Sequence, residues 1–149
     1  MNDNFDYPED RVFFEDLVFG ICDSEDAFLR LFDFRSAEVK RKEFNRLRND
    51  LFMKLTENSK GRCCIQFPDI CDSNSILVID HVIPLSSNHL NKTLRKIKST
   101  SSNKVPSQSF GSNQLGNLIL ACEKCNNHKK HRILPKEQLI EIFNRKCND

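Results

Sequence analysis

Ile76-Leu77-Val78-Ile79-Asp80-His81-Val82-Ile83-Pro84 and Asn117-Leu118-Ile119-Leu120-Ala121-Cys122-Glu123-Lys124-Cys125-Asn126 are the two stretches that decide the fold. Ile76 to Ile79 and Leu118 to Ala121 are short apolar, partly β-branched runs and are read as strands. The first runs into a carboxylate and an imidazole, the second into a thiol pair and an amide. From Asn126 the pattern is helical until Pro135, where a new helix is expected to begin with proline in its first turn and to bury Leu139, Ile140, Ile142 and Phe143. Consecutive strand residues face opposite ways, so Asp80 and His81 share a site only where the strand ends or bulges. Pro84, three residues on, is consistent with such an ending.

The chain of 149 residues fits one ordinary domain or a small domain with an extension. Its start, Met1-Asn2-Asp3-Asn4-Phe5-Asp6, has neither a basic nor an apolar leader region. No apolar run approaches the roughly 20 residues of a membrane span. A soluble, cytoplasmic protein without a membrane partner is expected. The formal charge of +2 conceals an asymmetry. Residues 81 to 149 hold 12 Lys and Arg against 4 Asp and Glu, a balance of +8, and residues 1 to 80 hold 11 against 17, a balance of −6. The basic half suits a polyanion, because phosphate contacts release counterions and give sequence-independent affinity. A solvated charged surface explains the same count equally well.

Two organisational units are expected, an N-terminal helical region over 1–57, acidic at its start, and a second unit over 58–149. Apolar spacing from Asp10 to Phe34, broken near Gly20 and recapped at Asp23-Ser24-Glu25-Asp26, predicts two short helices. Ser36 to Leu55 reads as a longer amphipathic helix with Val39, Phe44, Leu47, Leu51, Phe52 and Leu55 on one side, ended by Asn58-Ser59-Lys60-Gly61. Between the strands lies a polar, basic insertion from Ser86 to Asn113. Leu90 to Ile97 forms a brief helix in this reading and Ser99 to Gly111 a loop. The insertion carries Lys92, Arg95, Lys96, Lys98 and Lys104 without an acidic side chain.

Seven cysteines, an odd number, fit a disulfide framework poorly. Two closely spaced pairs, Cys64-x6-Cys71 and Cys122-x2-Cys125, bracket the first strand, and four thiolates can close a tetrahedral Zn²⁺ site as structural sites require. Cys63 is adjacent and can exchange roles with Cys64. Buried free thiols are the plainer alternative. A redox role for Cys122-Glu-Lys-Cys125 lacks a thioredoxin-like context. Cys22 and Cys147 stand outside this frame as ordinary thiols.

Asp80-His81, Asn117 and Cys122-x-x-Cys125-Asn126-x-x-Lys129, in this order, resemble the HNH family of nucleases. The resemblance covers roughly residues 60 to 133. It implies an α+β fold with a ββα-metal core, a structural zinc knuckle and, here, an N-terminal helical extension. Some members have a cysteine pair before the Asp-His strand and another on the knuckle leading into the helix, and their spacing favours Cys64 over Cys63. The spacing Asn117-x8-Asn126-x-x-Lys129 is similar to the His-Asn-Asn variants, among them the HNH domain of RNA-guided effectors. By that resemblance Asp80 and Asn126 bind the catalytic cation, His81 is the general base and Asn117 holds the His81 backbone. Carboxylate and amide oxygens suit Mg²⁺ or Mn²⁺. His128 is an alternative ligand to Asn126; residues 126 and 128 are about 200° apart on a helix, so one of them faces the site.

The resemblance implies a DNA endonuclease of the restriction or genome-defence kind that hydrolyses phosphodiesters with His-activated water. Double-stranded DNA is the expected partner, with Arg95, Lys96, Lys98, Lys129 and Lys130 as backbone contacts. Homodimerisation through the N-terminal helices is a further expectation. A noncatalytic zinc-knuckle DNA-binding module and a toxin-type nuclease held by a partner are the alternatives.

Overall fold

The computed structural model describes residues 5–59, 61–100 and 102–148, with side chains as far as residue 146. Lys60 and the side chain of Cys147 lie outside the described residues. The elements are α1 Pro8–Leu17, α2 Glu25–Leu29, α3 Ala37–Ser59, β1 Leu77–His81, α4 His89–Thr93, a 3₁₀ turn Leu115–Asn117, β2 Leu118–Cys122, α5 Glu123–Lys129 and α6 Lys136–Asn148. Mixed helices with one small antiparallel sheet make this an α+β protein.

Local chemistry accounts for most element ends. Pro8 opens α1 and Glu9 and Asp10 occupy its first turn, where carboxylates favour the helix dipole. Ser24 caps α2, its Oγ accepting from Ala27 N at 3.1 Å. The helix after β2 is shorter than its sequence pattern suggests. It stops at Lys129, because Lys130 takes a left-handed backbone with φ 54°, and Ile133 and Leu134 then bury in the core outside any helix. In α6, Leu139 and Ile142 are buried as expected, but Ile140 is exposed; on α3, Val39 is exposed as well.

β1 and β2 pair antiparallel with Leu77 opposite Cys122, Asp80 opposite Ile119 and His81 opposite Leu118. All five residues of β2 are buried. Their alternation feeds two cores. Ile119 and Ala121 face a large cluster with Phe14, Phe28, Phe32, Ile83, Leu90, Phe110 and Ile142, whereas Leu118 and Leu120 pack on Leu51 and Leu55 of α3. The larger cluster joins side chains from the N-terminal helices to side chains from the insertion and α6.

Two ionic anchors fasten the N-terminal region to the insertion. Lys40 of α3, fully buried, donates Nζ to the carbonyls of Asp33 and Gly111, each at 2.6 Å. Gly111 in turn sits against the chain after β1, where an added Cβ would lie 1.8 Å from the Ile83 carbonyl oxygen, so only glycine fits. The other anchor is made by Arg95, a residue expected to contact DNA. Its guanidinium pairs with fully buried Asp10 of α1 and lies 3.8 Å from the Tyr7 ring centroid, and Gln108 Nε2 donates to the same carboxylate at 3.0 Å. Losing one partner of a buried ion pair leaves the other charge uncompensated and costs about 3–5 kcal/mol. Arg95→Ala is therefore expected to lower unfolding free energy by about that amount in denaturant titration.

Candidate metal centre and active site

The cysteine frame forms on the edge of the sheet. Cys63, Cys71, Cys122 and Cys125 place their Sγ atoms within 4.8 Å of one another. In a tetrahedral site with Zn–S near 2.3 Å the sulfurs stand about 3.8 Å apart, and Cys71 and Cys122 are already 4.0 Å apart. Backbone N–H groups point at two of the sulfurs: Gln66 N donates to Cys63 at 3.5 Å and Cys125 N to Cys122 at 3.3 Å. Burial pushes the Cys71 thiol up to about 11, neighbouring Cys63 adding to it, and burial raises Cys125 further. Burial also opposes ionisation of Cys122, yet hydrogen bonds from the Asp72 and Cys125 backbones bring it down to about 7. The donor set is four sulfurs in a closed shell, which fits zinc.

Cys63 takes the place expected for Cys64. The Cys64 N–H donates to the Leu120 carbonyl at 2.8 Å, extending the β2 edge, and its side chain points into the core at zero exposure. Successive side chains of an extended segment alternate, so Cys63 points the other way, toward the cluster.

Asp80 and His81 occupy the last two positions of β1, and both line a cavity of about 530 Å³. Asn126 of α5 lines it too, as do Arg41, Lys130 and His131. His128 turns away and meets the Phe67 ring at 5.1 Å, so of the two candidate ligands it is Asn126 that shares the cavity with Asp80.

Lys129 differs from its expected place on a DNA-facing surface. It is 1% exposed, with Nζ 3.2 Å from Asp80 Oδ2 and donating to the His81 carbonyl at 3.0 Å. Burial raises the Asp80 carboxyl, and Lys129 opposes that rise. Asp80 Oδ2 is buried and makes this ion pair with Lys129 but no hydrogen bond. Of the other expected DNA contacts, Lys96 and Lys98 are exposed in the insertion and Lys130 borders the cavity.

Asn117 is fully buried and grips the chain two residues beyond His81. Its Oδ1 accepts from Ile83 N at 2.8 Å, and its Nδ2 donates to the carbonyls of Ile83 at 3.0 Å and Ser112 at 2.8 Å. The amide thus fixes the turn that ends β1, and holds His81 indirectly.

His81 packs edge-on to Phe44 of α3, with ring centroids 4.8 Å apart, and its Nε2 lies 2.8 Å from Asn113 Oδ1. Burial pushes the imidazole down to about 4; the Asn113 hydrogen bond opposes this, while Lys129 and Lys40 add to it. The ring is therefore neutral at pH 7 and keeps a lone pair able to accept a proton. Arg41, Glu43, Phe44 and Asn113 were given no functional role from the sequence. The first three lie on a helix read as packing surface, and Asn113 lies at the end of a polar loop.

Comparison of the chain with models of protein families, with curated proteins and with solved structures found no significant match.

Proposed function

We propose that the chain is a zinc-stapled, metal-dependent DNA endonuclease of the HNH kind, serving restriction or genome defence. The observation that carries this reading is the convergence of a buried carboxylate, a neutral histidine and an amide on one cavity bordered by Arg41, Lys130 and His131. Phosphodiester hydrolysis needs an activated water, charge stabilisation at the phosphate and a fixed geometry. His81 accepts the water proton, a contribution of about 10²–10⁴-fold in rate. Arg41 and Lys130 hold phosphate oxygens, and Asn117 keeps the end of β1 in place.

The buried Asp80 carboxylate, whose Oδ2 has the Lys129 ammonium for an ion-pair partner and makes no hydrogen bond, and the Asn126 amide lining the same cavity form an oxygen donor set that fits Mg²⁺ or Mn²⁺. When bound there, such an ion supplies Lewis-acid stabilisation to the phosphate and to the leaving oxygen. A noncatalytic zinc-knuckle DNA-binding module is the second reading, and the Asp80–Lys129 pair favours it, since that lysine already neutralises the carboxylate.

The two readings separate on supercoiled plasmid and linear duplex incubated with zinc-loaded protein, with Mg²⁺ or Mn²⁺ added or omitted. Omission is preferable to chelation, which would also attack the cysteine centre. Cation-dependent nicking or linearisation supports the endonuclease; retention of DNA without cleavage supports the binding module. An Arg41→Ala, Lys130→Ala protein is expected to bind duplex more weakly, with the slope of log K against log salt reduced by about two phosphate contacts. An unchanged slope would remove both residues from the interface.

A further inference from the structure

Asn113 has its amide orientation fixed by its own neighbours. Its Nδ2 donates to the Lys40 carbonyl at 2.9 Å and to Glu43 Oε1 at 3.0 Å, so the atom facing His81 Nε2 at 2.8 Å is the acceptor, Oδ1. An amide oxygen cannot donate, so Nε2 must carry the imidazole proton. Nδ1 is then the unprotonated nitrogen.

Glu43 is held as a carboxylate. Its hydrogen bond from Asn113 comes first in keeping its carboxyl low, followed by Arg35, whose Nη2 lies 3.0 Å from both Glu43 oxygens and 2.7 Å from Asp33 Oδ2. The chain from Asp33 and Arg35 through Glu43 and Asn113 to His81 thus runs from the N-terminal region to the end of β1. Phe44, next to Glu43 on α3, packs on the same imidazole.

We propose that Asn113 and Glu43 are positioning residues that lock His81 in its Nε2–H tautomer, leaving Nδ1 as the atom that takes the proton from water. The proposal rests on the endonuclease reading for its last clause only. It makes α3, outside the region of HNH resemblance, a working part of the site. An imidazole whose tautomer is set by a hydrogen bond at one nitrogen presents a defined lone pair at the other, whereas an unheld ring divides between two tautomers and two ring orientations.

Long-range ¹H–¹⁵N spectra of the zinc-loaded full chain carrying ¹⁵N-labelled histidine read the tautomer directly, with His81 assigned by the signals lost in His81→Gln. The expected result is a pure Nε2–H pattern for His81 in the wild-type protein. Asn113→Leu should shift it to a mixture, and should lower kcat for duplex cleavage about 10²-fold with KM within about twofold. Asn113→Asp combined with Glu43→Gln reverses the donor and acceptor between positions 113 and 43 and keeps an acceptor for Nε2–H, at the loss of the donation to the Lys40 carbonyl. That pair should regain at least tenfold in kcat over Asn113→Leu, a recovery that a space-filling role would not give.

A wild-type His81 protonated on Nδ1 would overturn the proposal without reference to any variant's folding. So would a folded, zinc-loaded Asn113→Leu protein with wild-type kcat. An Nε2–H pattern in a wild-type protein that cleaves no DNA would uphold the positioning pair and retire the endonuclease reading.

Discussion

Stripping the ion from the cysteine cluster is expected to unfold the protein. The four thiols belong to segments far apart in sequence, Cys63 and Cys71 ahead of β1 and Cys122 and Cys125 at the β2 to α5 junction. Their sulfurs gather in a space where burial disfavours free thiolates at Cys71 and Cys125. Binding of structural zinc to such a set is worth roughly 10 kcal/mol or more in small domains, comparable with the roughly 5–15 kcal/mol total stability of an ordinary domain. Elemental analysis should return one zinc per chain, and prolonged chelation should abolish the cooperative thermal transition. Cys63→Ser should lose zinc, whereas Cys64→Ala should keep it and lose only core packing. Zinc retained by Cys63→Ser but lost by Cys64→Ala would reverse that assignment.

Replacing His81 with alanine carries the second large effect. The fold should persist, because the ring contributes one edge contact to Phe44 and one hydrogen bond to Asn113, the latter worth about 1 kcal/mol net. Duplex affinity should persist as well, since Arg41 and Lys130 border the cavity independently of the imidazole. Cleavage should fall by about 10²–10⁴-fold, the usual contribution of a general base. Single-turnover rates at saturating enzyme, with affinity measured in the same buffer, separate the two quantities. Cleavage at the wild-type rate would take His81 out of the reaction.

What the sequence revealed depended on the range of the interaction. The strands were legible because short apolar runs ended at polar residues, and the register then brought Asp80 and His81 to the strand end. The cysteine cluster was legible as a set of thiols. The choice between Cys63 and Cys64 was not, because it turns on which of two alternating side chains faces away from the core once Cys64 N bonds to Leu120 O. Arg95 and Lys129 read as members of basic runs. Their ion pairs are with Asp10, 85 residues away, and with Asp80, 49 residues away, and charge counting cannot reveal such partners. Asn113 and Glu43 were hidden for the same reason, since only folding brings their segments together, 70 residues apart in the chain.

The central claim is that Asp80 and Asn126 hold a divalent cation beside His81. It is tested most directly by adding substoichiometric Mn²⁺ to zinc-loaded, isotopically labelled protein and mapping paramagnetic broadening. The account predicts that the ring signals of His81 and the side-chain amide of Asn126 broaden first, with the effect abolished in Asp80→Ala. Broadening centred elsewhere, or unchanged in Asp80→Ala, would contradict it.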